Sequence, residues 1–185
     1  MASITPLFVS LSSVAVLLCA CAQPADDYGF RIREVLLRPG YQQISAHYRQ
    51  DLILSRDAVE ALEHGVPLTV QLQMELRDAN TLTLLADESH RFVIRYQPLV
   101  QRYELSGPDA GNPRTFPRLR HVLKELATID LDLKTGPLVP GRYEFRARTR
   151  LENARLPAPM RLPARFSDQW RHDSEWSTWP FEIGA

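Results

Sequence analysis

The chain has 185 residues, 44% of them hydrophobic, and its 22 lysines and arginines balance 22 aspartates and glutamates to a formal net charge of zero. Such a balance gives no global field that would draw the chain to nucleic acid or to an anionic membrane, and both are set aside as partners. Its two cysteines, Cys19 and Cys21, lie so near the start that the rest of the chain has none to pair,.

The first element in chain order is an apolar run from Leu7 to Leu18, followed by Cys19-Ala20-Cys21-Ala22. It is shorter than the roughly 20 residues of a membrane-spanning helix, and the small residues behind it mark an export signal. Residues 1–22 are therefore expected to be a cleaved signal peptide, and the protein to reside in the periplasm. Two cleavage readings compete. Ala20-Cys21-Ala22 fits a cut before Gln23, whereas Leu18-Cys19-Ala20-Cys21 fits a bacterial lipobox that would leave Cys21 as a lipidated N-terminus and membrane anchor,. Residues 23–185 then form one β-rich domain, long enough to bury roughly 70% of the surface its unfolded chain exposes.

Strands come next. Alternating hydrophobic residues occur at Phe30 to Leu36, Ile44-Ala46-Tyr48, Phe92-Ile94-Tyr96, Leu99 to Leu105, Ile129-Leu131-Leu133 and Tyr143 to Leu151. The longest run, Leu68 to Arg77, sets Leu, Val, Leu, Met and Leu against Thr, Gln, Gln, Glu and Arg over ten residues. A period of two means strands with one buried face, which suits antiparallel sheets. Turn residues at Arg38-Pro39-Gly40 and from Pro137 to Gly141 separate such strands,. Pairing Ile129–Thr135 with Arg142–Leu151 across the second turn sets Asp132 against Arg146, Lys134 against Glu144 and Asp130 against Arg148. All three pairs are opposite in charge, which favours that register.

Two stretches read as short α-helices. Ser55 can cap Arg56 to Glu63, with Gly65 closing the end. Leu119, Val122, Leu123 and Leu126 follow Pro117 at helical spacing and end near Thr128,. Ser106 to Pro113 reads as a mobile loop by composition. The prolines between Leu156 and Pro163 predict an extended segment along an edge or over a face. The fold class that results is mainly β, an antiparallel β-sandwich-like domain with two short α-helices behind a cleaved signal peptide.

Several strings resemble the exported Gram-negative family known as domain of unknown function 4390. They are Gly65-Val66-Pro67-Leu68, Tyr96-Gln97-Pro98-Leu99 leading to Arg102-Tyr103, Pro140-Gly141-Arg142-Tyr143, Leu156 to Leu162, and the ending from Trp170 through Trp176 to Trp179-Pro180. The resemblance implies a small secreted or anchored protein with no established activity, cofactor or functional residue. Genes of the family often stand beside a sensor histidine kinase, which suggests an envelope partner such as the sensory domain of that kinase.

The residues themselves offer one candidate surface. Trp170, Arg171, His172, Asp173, Glu175 and Trp176 fall close together, and all three tryptophans lie in this region. Tryptophan and arginine dominate binding hot spots, and aromatic faces beside carboxylates suit a sugar. Trp170, between a proline-rich edge and a charged run, is expected to be partly exposed, whereas Trp176 and Trp179 can pin the last strand to the core. The five histidines are scattered, with no local pair for a metal,. There is no Gly-x-Ser-x-Gly or His-Glu-x-x-His motif, and Ser167, Asp168 and His172 offer triad residue types, but closeness in sequence is not triad geometry. The chain thus reads as a non-catalytic interaction or accessory module with no cofactor. The alternative is a glycan- or cell-wall-binding domain, hydrolytic or not.

Overall fold

The structure is a computed structural model and describes residues 28–108 and 112–184. The expected signal peptide, Cys21 and the tip of the Ser106 to Pro113 loop lie outside the described residues.

Two antiparallel sheets face each other. Strands β1 (Gly29–Pro39), β2 (Gln43–Ile53) and β7 (Thr128–Lys134) form a three-stranded sheet in the order β1-β2-β7. The remaining strands are β3 (Leu68–Asp78), β4 (Leu84–Gln97), β5 (Arg102–Ser106), β6 (Arg114–Phe116), β8 (Gly141–Leu151) and β9 (Ser177–Ile183). They form a six-stranded sheet in the order β6-β5-β4-β3-β8-β9. Alternation puts Ile44, Ala46, Tyr48 and Leu52 of β2 against Leu68, Val70, Leu72, Met74 and Leu76 of β3 and Tyr143, Phe145 and Ala147 of β8, all buried,. The Tyr48 and Phe145 rings meet across the gap at 6.4 Å.

The first strand departs from simple alternation. A bulge at Arg33 shifts the register between Ile32 and Glu34, so the buried set changes from Phe30 and Ile32 to Val35, and Leu36 turns outward,. The stretch Leu99 to Leu105 is not one strand. Gln101 has φ 50° and Leu99 is fully exposed at a turn, and β5 begins only at Arg102.

The expected pairing of β7 with β8 is overturned. β7 lies against β2, with Ser45 opposite Asp132 and His47 opposite Asp130. β8 is held between β3 and β9, so neither of its edges is open to β7. Its arginines still find complementary partners, because Arg150, Arg148 and Arg146 face Gln71, Gln73 and Glu75 of β3. Charge did not decide the pairing, since only Arg146 faces a carboxylate on β3 while Arg148 pairs with Asp173, and the Pro137 to Gly141 link is a crossing between sheets.

Among the described residues three α-helices complete the fold. Helix α1 (Arg56–Glu63) is capped by the Ser55 hydroxyl, which accepts the Ala58 N–H, and closes at Gly65 with φ 87°,. Helix α2 (Leu119–Ala127) buries Val122 and Leu126, and Pro117 lies just before it. Helix α3 (Ala158–Phe166) replaces the extended segment expected from the prolines. Pro157 occupies the cap position and Pro159 the first turn, where a missing N–H costs nothing,. Pro163 gives up one bond in a helix of about two turns, on an exposed side open to water. Among the described residues no helix is long and apolar enough to cross a membrane.

Candidate functional site

The C-terminal cluster is assembled on the Leu151 end of β8. The Leu151 N–H donates to the His172 carbonyl at 2.8 Å, the Ser174 N–H donates to the Thr149 carbonyl at 2.9 Å, and Arg150 bridges Asp173. Residues 172–174 thereby run beside β8 before β9 begins. A 3-10 turn at Asp168–Trp170 delivers the chain to that position and drives the Trp170 side chain inward.

Trp170 is only 6% exposed, contrary to the partial exposure expected of it. The proline-rich edge that was to leave it open is α3, and α3 together with the 3-10 turn covers the indole. His172 is buried as well, at 1%. Its ring sits 5.4 Å from the ring of Tyr28 and 5.3 Å from that of Phe30. Its Nε2 accepts the Ser55 N–H at 2.8 Å, which requires the proton to be on Nδ1,. Nδ1 faces the Trp170 carbonyl without a well-formed hydrogen bond. Burial drives the imidazole pKa down to about 4, against a smaller opposing pull from that carbonyl,.

Ser55 is thus the centre of a clasp. Its N–H goes to His172, its hydroxyl donates to the Gln169 carbonyl at 2.5 Å, and the same oxygen accepts the Ala58 N–H. A hydroxyl proton committed to a carbonyl is not activated for attack. The residue types of a triad at Ser167, Asp168 and His172 are not brought into one: His172 turns to Ser55, and Asp168 pairs with exposed Arg171 at 3.2 Å.

Asp173 accepts a two-pronged fork from Arg148, through Nε at 2.7 Å and through a short Nη2 contact, and also the Glu175 N–H at 2.9 Å. Burial pushes its carboxyl up, but the Arg148 fork, the Glu175 N–H and nearby Arg150 outweigh that and hold it below the usual carboxylate range,. Glu175 is exposed in the left-handed region, with φ 58°. Trp176 is half-buried and its face is covered by the Arg146 guanidinium, 5.1 Å from the ring centroid,. Trp179 of β9 packs toward Phe145 of β8. Of the six residues singled out, Arg171 and Glu175 are exposed, Asp173 and Trp176 half-buried, and Trp170 and His172 interior.

A buried polar chain was missed by the sequence reading. The Thr149 hydroxyl donates to Gln50 Oε1 at 2.7 Å, and Gln50 Nε2 donates to the Leu126 carbonyl at 2.8 Å, linking β8, β2 and α2. The one signal for it was a glutamine at an inward position of β2. Among the described residues no group of three or more histidine, cysteine, aspartate or glutamate side chains is placed to hold a metal ion.

Residues 27–180 match the family described as domain of unknown function (DUF4390). The chain belongs to this family. The match covers the clasp, all three tryptophans and both sheets up to the middle of β9. No curated protein and no solved structure matches the chain.

The DUF4390 fold also sets which sheet edges are open. Among the described residues β1 carries a bulge, β6 has three residues and β9 contains Pro180, three devices that blunt an edge,. β7 has none of these three over its seven residues, its edge being marked by exposed Asp130, Asp132 and Lys134 and lying near β4 and α2. Its inward Ile129 and Leu131 are only half-buried, and on the outer face Asp132 accepts the Ser45 hydroxyl at 2.6 Å while Asp130 meets His47 Nδ1 at 2.8 Å.

Proposed function

We propose that this DUF4390 protein is an exported, non-catalytic docking module that takes an extended segment of another envelope protein along the free edge of β7. The open edge carries this reading: its backbone groups can continue the ladder, and an added strand would finish covering Ile129 and Leu131,. Asp130 and Asp132 favour a partner strand with basic or hydroxyl residues at alternate positions. The sensory domain of an envelope histidine kinase is the partner suggested by the family resemblance. Sugar binding has less support, because Trp170 lies in the core and Arg146 occupies the face of Trp176.

The test is photo-crosslinking in cells from positions 130 and 132, with position 31 on the bulged β1 edge and position 171 as comparisons. A discrete protein adduct from β7 alone is the expected result. Capture from position 171 but not from β7 would move the interface to the C-terminal cluster and overturn the β7 reading, as would no adduct from a normally exported chain.

A further inference from the structure

A surface helix ordinarily turns its apolar side inward. Helix α3 turns Ala164 and Met160 toward the protein, yet its opposite face carries Leu162 and Phe166, one turn apart and 68% and 82% exposed. Arg161 and Arg165, also one turn apart and exposed, flank this ridge. From Asn153 to Ser167 the chain contains Arg155, Arg161 and Arg165 and no carboxylate, and of the flanking carboxylates Glu152 pairs with Arg155 and Asp168 with Arg171, which leaves Arg161 and Arg165 as the local basic excess. Arg161 donates through Nε to the Leu156 carbonyl at 2.8 Å. A cleft of about 520 Å³ beneath the ridge is lined by Leu162, Ala164 and Trp170 together with Arg161, Arg165 and Arg171. Exposed leucine and phenylalanine bordered by arginine is the pattern of a helix lying in a membrane interface.

The entry point of the chain lies at the same end. Tyr28, which leads into β1, lines a neighbouring cleft with Arg171 and Asp173. Only six residues separate it from Cys21, a reach of at most about 25 Å when fully extended. The geometry points to α3 as a contact with an anionic lipid surface, in which Leu162 and Phe166 enter the headgroup boundary and Arg161, Arg165 and Arg171 meet lipid phosphates. This rests on the export reading, which puts the N-terminal segment at a membrane. The basic and apolar face of α3 would add a contact of its own with the bilayer beside the N-terminal segment.

The test uses the full chain with Cys19→Ser and Cys21→Ser and a nitroxide on Leu162→Cys, compared with one on Thr81→Cys at the opposite end of the sheets. Each is mixed with phosphatidylglycerol-containing vesicles and with pure phosphatidylcholine vesicles. Because the leader is present throughout, tethering is common to every sample. The expected result is a several-fold fall in collisions with a water-soluble relaxant at position 162, on the anionic vesicles only, with no change at position 81 and loss of the effect in the Arg161→Glu, Arg165→Glu variant. Equal aqueous access at 162 and 81 on anionic vesicles would overturn the proposal, as would immersion that ignores the charge reversal. Cell fractionation tests export separately, so a chain that stays in the cytoplasm but still immerses α3 would sink only the export reading.

Discussion

Folding takes His172 out of water and leaves its imidazole neutral, with Nε2 accepting the Ser55 N–H between the rings of Tyr28 and Phe30. The folded pKa of about 4 lies below the ordinary value near 6.5, so the unfolded chain takes up this proton first,. The contribution is therefore fully present above pH 6.5 and is lost as pH falls through 4. It amounts to something on the order of 3 kcal/mol. Urea unfolding from pH 7.5 down to pH 4.5 should show falling stability, and His172→Gln should flatten that slope while lowering stability at pH 7.5. An unchanged slope would mean that the clasp does not exclude the proton. The residue types here were legible in the sequence and their setting was not. His172 and Trp170 look like surface chemistry when read beside Arg171 and Asp173, and only the partner 117 residues away, Ser55, shows that they face inward.

At the scale of elements, α1 is held by its cap more than by its length. Eight residues are too few for a stable isolated helix,, and the Ser55 hydroxyl both caps α1 and binds the Gln169 carbonyl. Ser55→Ala should cost about 1–2 kcal/mol in chemical denaturation, and amide exchange should speed up together in α1 and in residues 168–172. Acceleration confined to α1 would show that the hydroxyl serves only as a cap. Most strands and the first two helices could be read from periodicity because each depends on its own burial pattern. Pairing could not. Asp130 and Asp132 are compatible with the arginines of β8 and equally with Ser45 and His47, and the choice is made by β3 and β9, which occupy both sides of β8. Helix α3 escaped because proline's cost depends on its place in the helix, and that place is fixed by Pro157 at the cap,.

The whole molecule is tied together by β7. This strand belongs to the three-stranded sheet, but it follows β6 and precedes β8 of the six-stranded one, and its residues meet partners far back in the chain, as Leu133 does Ile44. Neither sheet can be taken apart without pulling β7 from one of its connections. Tryptophan fluorescence, which reports only the region from Trp170 to Trp179, and a label on the outer face of β1 should therefore give coincident unfolding curves. Separate midpoints would mean that the sheets are independent units. Pairings at such separation also make for slow folding, on the order of milliseconds to seconds.

The clasp at Ser55 and His172 has a consequence for the order in which the molecule can be made. A chain issuing from a ribosome or a secretion pore N-terminus first presents α1 early, but the residue that locks it arrives only when about nine-tenths of the sequence has already emerged. β9, with Trp179 and Phe181 against the aromatic side chains of β8, comes later still. Until then Phe30 and Phe145 lack their closing neighbours His172 and Trp179.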